Sequence, residues 1–207
     1  MIRIFFSLFL VFCTSLAQAQ EVHDYPALYR VTGVAATDVL NVRSGPGTEH
    51  QIIGSFAPGQ AGIEVVGTTQ DRRWGRVIIG ETSGWASMRF LARTGPDWNA
   101  GLPAPLYCFG TEPFWSYERL IGGGNFDSVT GSGPEPFAEL WSGTASGRGT
   151  QSFGMALDSG TSTMSAFIRR GICSDGMSDR DYGLIAQFLR RSPSGTELLD
   201  GCCRLAR

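Results

Sequence analysis

The sequence predicts an all-β chain made of two small barrels, and three observations carry that expectation. Apolar residues recur at every second position in short runs, glycine and proline punctuate those runs, and nowhere does the pattern demand a helix of normal length. Gly accounts for 28 of the 207 residues while charged residues are only 17%. A chain so rich in turn formers and so poor in charge pairs suits short strands better than long amphipathic helices.

The amino end reads differently from the rest. Residues 1–19 have the layout of a secretory signal: Arg3 supplies positive charge, residues 4–12 are apolar, and Ala17-Gln18-Ala19 offers a small-residue cleavage site. The mature chain is expected to begin at Gln20, and no later stretch approaches the ~20 apolar residues of a membrane span. Cys13 raises the lipoprotein alternative, against which stands the bulky Phe12 before it. The formal net charge of −2 gives no general attraction to nucleic acid. All basic residues are arginine, a bias from which no mechanism follows.

Residues 41–48 are the most informative run. Leu40 and Val42 alternate with Asn41 and Arg43, as on a strand with one apolar edge. Gly45, Pro46 and Gly47 then supply a tight turn. Further on come Trp74 with Val77, then Gly84-Trp85, then Phe90-Leu91. In that order the motifs resemble the bacterial SH3 domain, over residues 27–94. The resemblance implies a binding module for cell-wall peptides or envelope proteins, with no catalytic role. It also assigns Val77 and Ile79 to the core, which turns Trp74, Arg76 and Ile78 to the other face. Trp74, Arg76 and Arg43 are therefore the candidate ligand contacts of this domain, weighed against ordinary packing roles.

Residues 95–105 hold three prolines and no periodicity, and read as a linker. Residues 106–207 show a strand-and-turn rhythm, with strands expected at 114–120, 137–141, 152–157, 163–169, 182–189 and 197–203. Glycine-rich breaks at 122–125, 131–134, 146–149 and 192–195 separate them. The nearly continuous apolar run 182–189 suits a strand covered on both faces.

Cys108, Cys173, Cys202 and Cys203 are an even number in a chain expected to be exported, so disulfides are the default. Cys202 and Cys203 are adjacent, and neighbouring strand side chains point to opposite faces, so each is expected to bond a distant partner. Gly110-Thr111-Glu112-Pro113-Phe114-Trp115, Cys173-Ser174-Asp175-Gly176-Met177-Ser178-Asp179 and Gly201-Cys202 together resemble a second family. This is a group of secreted or envelope β-domain proteins of Gram-negative bacteria, marked by "GTEPFW" and "C-D-GMSD" signatures and without a settled biochemical role. This chain departs from it at Tyr182-Gly183, where family members often carry Tyr-Pro. The resemblance implies Cys173 with Cys202, and hence Cys108 with Cys203; the reverse pairing stays open.

Enzymatic chemistry finds little support. The two histidines, His23 and His50, lie beside no candidate nucleophile, there is no G-x-S-x-G elbow, and without lysine there is neither a P-loop nor a Schiff-base residue. Glu112 and Asp175 form a conceivable acid/base pair, but structural carboxylates are the commoner case. Asp175, Asp179 and Asp181 sit close enough in sequence to suggest calcium, yet Arg180 stands among them and no bidentate glutamate follows at EF-hand spacing. The competing expectation is a turn whose Asp and Ser side chains cap backbone groups. No catalytic residue, metal or cofactor is assigned. In the second domain Trp115, Glu112, Met177, Asp179 and Arg180 are the candidate ligand contacts. The expected function is an exported envelope-binding protein whose partner is a cell-wall peptide or a periplasmic protein. The alternative is a periplasmic inhibitor of a cell-wall-degrading enzyme, acting through residues 174–181.

Overall fold

The computed structural model describes residues 25–205 except 96, 97, 99, 100, 132 and 148. The expected signal segment, Cys13 and His23 lie outside the described residues. The first domain consists of β1 (Ala27–Val31), β2 (Leu40–Arg43), β3 (Ile52–Phe56), β4 (Ile63–Thr68), β5 (Trp74–Ile79), β6 (Thr82–Ser87) and β7 (Leu91–Arg93). They form one antiparallel sheet in the order β3-β2-β6-β5-β4-β1-β7. Leu40 and Val42 are buried while Asn41 and Arg43 are partly exposed, the alternation read from the sequence. Val42, Val65, Val77 and Ala86 form the centre of its core, each fully buried.

The second domain is a closed eight-stranded antiparallel barrel. Its strands are β8 (Leu106–Thr111), β9 (Phe114–Leu120), β10 (Gly123–Ser128), β11 (Glu135–Thr144), β12 (Ser152–Asp158), β13 (Thr163–Cys173), β14 (Tyr182–Ser192) and β15 (Gly195–Leu205). Each pairs with the next, and β15 returns to β8 to close the ring. Inward residues are aromatic and aliphatic: Phe188 packs against Trp115 at 5.0 Å and Tyr117 at 5.5 Å between ring centres.

Two strands differ from the sequence reading. β8 was hidden among cysteine, glycine and aromatic residues, and β10 occupies the glycine run expected to be a turn. The glycines of β10 are there for close approach: a Cβ on Gly124 would sit 2.3 Å from the Glu118 carbonyl oxygen and 2.7 Å from the Tyr117 ring.

The disulfides join Cys108 to Cys203 and Cys173 to Cys202. Cys108 and Cys203 are direct cross-strand partners on the seam that closes the barrel, inside its core. Cys202 faces the opposite way and ties β15 to the end of β13.

The segment between the domains is no loose tether, contrary to its composition. Trp98 is 1% exposed and belongs to the barrel core, its indole N–H donating to the Pro26 carbonyl at 2.9 Å. Arg170 lies over the same ring at 4.2 Å. Leu102 is also buried, and Arg119 donates to the carbonyls of Leu102 at 2.8 Å and Pro103 at 2.9 Å. Elsewhere the buried Glu64 on β4 accepts the Leu205 N–H of β15 at 3.2 Å, and Gly183 packs on Pro26. β14 is covered on both faces only at its start, and Gln187 is exposed. One face lines the barrel, and the other meets the first domain at its amino end.

Candidate functional site

Trp74 opens β5 directly after a tight turn whose geometry the polar residues determine. Asp71 accepts the Thr69 hydroxyl at 2.6 Å and the Arg73 N–H at 3.1 Å, and Thr69 Oγ1 accepts the Trp74 N–H at 3.2 Å. The Thr69 hydroxyl and the Arg73 amide hold the Asp71 carboxyl below its ordinary value. Arg72 completes the turn in the left-handed region at φ 57°. The result is a half-buried indole flanked by Arg72 and Arg73.

Trp74 borders a groove of about 890 Å³. Val34, Val39, Met88 and Phe90 give it an apolar floor, and Arg43, Arg72, Arg73 and Arg89 against the single acid Asp38 make it cationic. Arg43 also donates to the His50 carbonyl at 2.7 Å, which fixes the turn that the glycines form. A smaller groove of about 670 Å³, between residues 46–49 and 69–74, also borders the indole. Of the residues expected here, Trp74 and Arg43 come together. Arg76 lies apart from both grooves, stacked 5.8 Å over Trp85 and ion-paired with Asp181 of the barrel. Met88 and Arg89 were not among the residues expected here; with Phe90 they follow β6 as a single 3-10 turn and line the groove.

The acidic run 174–181 is a capped turn. Asp175 accepts the Met177 N–H at 3.0 Å, the Ser178 N–H at 2.9 Å, the Ser178 hydroxyl and the Tyr182 hydroxyl at 3.2 Å. Burial pushes its carboxyl up, but these hydrogen bonds outweigh burial and hold it below its ordinary value. The rest of the run engages the first domain. Arg180 Nε donates to the Gly80 carbonyl at 2.8 Å and its Nη2 reaches Glu81 at 2.6 Å. The Asp179 carbonyl accepts the Ser83 N–H at 3.0 Å, and the Asp181 N–H donates to Ser83 Oγ at 2.7 Å. Asp179 and Arg180 are thus interdomain contacts, and no group of three or more His, Cys, Asp or Glu side chains is placed to hold a metal among the described residues.

Both signatures of the second domain meet at a groove of about 540 Å³. The Thr111 hydroxyl donates to the Asp175 carbonyl at 2.9 Å, joining the "GTEPFW" hairpin to the capped turn. Tyr107 and Phe109 stack at 5.8 Å, Tyr182 meets Phe109 edge-on at 4.9 Å, and Phe114 and Met177 stand exposed at the rim. Trp115 lines the floor but is 4% exposed, its indole N–H held by the Asp200 carbonyl at 3.2 Å, so it is chiefly a core residue. Glu112 lies exposed at the hairpin tip, outside the groove lining.

Residues 38–92 match the family model of the bacterial SH3 domain. The match runs from just before β2 into β7 and takes in Trp74 and the four arginines of its groove, while Val34 lies before it. No curated protein and no solved structure gives a significant match to the chain. The second barrel's likeness to the "GTEPFW" group thus stands on its signatures alone. Bacterial SH3 domains serve cell-wall recognition in general, and two disulfides are consistent with a location outside the cytoplasm.

Proposed function

We propose that this chain is an exported cell-envelope binding protein whose SH3 domain recognises a carboxylate-bearing peptide, such as the peptide of peptidoglycan, in the groove beside Trp74. The observation that carries the reading is the coincidence of the SH3 match with an apolar groove ringed by four arginines and one aspartate. A half-buried indole offers a rigid stacking surface, and guanidinium groups complement carboxylates in a bidentate fashion. An inhibitory role for residues 174–181 draws on a loop whose Arg180 and Asp181 already pair with the first domain, and this favours the recognition reading.

The test is calorimetric titration of the mature protein with a soluble cell-wall stem peptide. Trp74→Ala is expected to weaken binding by ~1–3 kcal/mol with the thermal midpoint nearly unchanged. Unaltered affinity in a normally folded variant overturns the proposal.

A further inference from the structure

On the outer wall of the barrel, apart from the grooves described above, lies an aromatic surface that a break in strand geometry builds. Phe137 and Glu139 on β11 point inward, so an uninterrupted strand would also turn Trp141 into the core. A bulge between Glu139 and Trp141 inserts Leu140 and reverses the phase, so that Trp141 pairs with Ala156 and faces out. The indole is 56% exposed, and it lies on Gly143 and Gly154. A Cβ at Gly143 would stand 2.7 Å from the ring, and one at Gly154 3.1 Å from it. One face of the ring is therefore seated on bare backbone and the other is open.

Gly143 and Gly154 begin a cross-strand row. Gly154 pairs with Phe167, Phe167 with Gln187, and Gln187 with Asp200. Adjacent strands lie ~4.8 Å apart, so the row runs in a line from two aromatic rings to an amide and then a carboxylate. Phe167 is 60% exposed, and a groove of about 540 Å³ follows the row.

We infer that this surface is a binding site for an oligosaccharide. Sugar rings present an apolar C–H face and a rim of hydroxyls. The seated Trp141 indole and the exposed Phe167 ring match the face, while the Gln187 amide and the Asp200 carboxylate match the rim as donor and acceptor. The indole is held before any ligand arrives, which lowers the ordering cost of binding. Beside the rings the groove is lined by Thr144, Ala145, Ser152, Gly154, Arg169 and Ile185, so small and hydrogen-bonding groups flank the aromatic pair, as suits a hydroxylated chain.

The test is calorimetric titration of the mature protein with chito- and cello-oligosaccharides, with the Trp141 indole N–H followed by NMR. Binding is expected with a shift of that indole signal, and Trp141→Ala is expected to lower affinity by at least about tenfold. Gly154→Val, which lifts the ring, is expected to weaken binding as well, and Trp74→Ala to leave it unchanged. That last arm separates this site from the SH3 groove, since either can fail alone. Absence of binding to every oligosaccharide, or equal binding by a folded Trp141→Ala protein, overturns the inference. So does self-association that Trp141→Ala abolishes in a protein that binds no sugar, because the face then belongs to a second copy.

Discussion

Arg76 of the SH3 domain and Asp181 of the barrel form an ion pair across the domain boundary, with the Asp181 side chain only 16% exposed. With the Arg180 contacts to Gly80 and Glu81, it makes the loop 174–181 a clasp between the domains. A double-mutant cycle on Arg76→Ala and Asp181→Ala is expected to give a coupling of ~0.5–1 kcal/mol, since Arg76 is 37% exposed and solvent screens the pair. Zero coupling would show that the pair does not fasten the clasp.

The buried Trp98, bonded to Pro26, is expected to couple the unfolding of the two domains. Trp98→Ala is expected to lose ~3–5 kcal/mol and to accelerate proteolysis after Arg93, because the indole fills the barrel core and bonds to Pro26. Differential scanning calorimetry of the unaltered protein should show one transition. Two well-separated transitions would restore the linker suggested by the composition of residues 95–105.

The Arg119–Glu139 pair makes the barrel sensitive to acid. Burial pushes the Glu139 carboxyl up, but Arg119 at 2.8 and 3.0 Å and the Ser142 hydroxyl at 2.6 Å hold it below its ordinary value of 4.5. A group depressed in the folded state contributes stability above its unfolded value and loses it as pH falls through the folded one. Melting temperatures should therefore decline below about pH 4.5, and Glu139→Gln should flatten that decline. Arg119→Met, which strands the carboxylate, is expected to cost about 3–5 kcal/mol at neutral pH.

Each disulfide closes a loop of different length. The Cys108–Cys203 bond spans 95 residues and the Cys173–Cys202 bond 29. Loop-closure entropy then gives about 4.7 kcal/mol for the first and about 3.6 kcal/mol for the second. Denaturant titration of the paired Cys→Ala variants measures both, and the reverse order would mean that native packing outweighs the chain-entropy effect. Peptide mapping of the denatured, unreduced protein should find no free thiol.

Much of the fold was legible because alternation reports burial directly. Leu40 and Val42, or Phe153, Met155 and Leu157, announce which face is inward. Gly123 and Gly124 misled because a glycine chosen for close backbone approach looks the same in sequence as one chosen for a turn. Trp98 was misread for a related reason: its proline-rich neighbours are linker-like, and nothing local shows that a distant barrel has room for its ring. Trp74 was singled out by its motif. Trp141 was not, since a one-residue bulge that reverses a strand's phase is visible only once the partner strand is in place.

The seam between β8 and β15 also dictates an order of events. The ring cannot close until β15, the last of its strands, exists, whereas every strand of the SH3 domain is made before the barrel begins. The first domain can therefore assemble while the second waits with an unsatisfied edge on β8. Long-range pairing of this kind slows folding in general, so barrel closure is expected to follow assembly of the first domain.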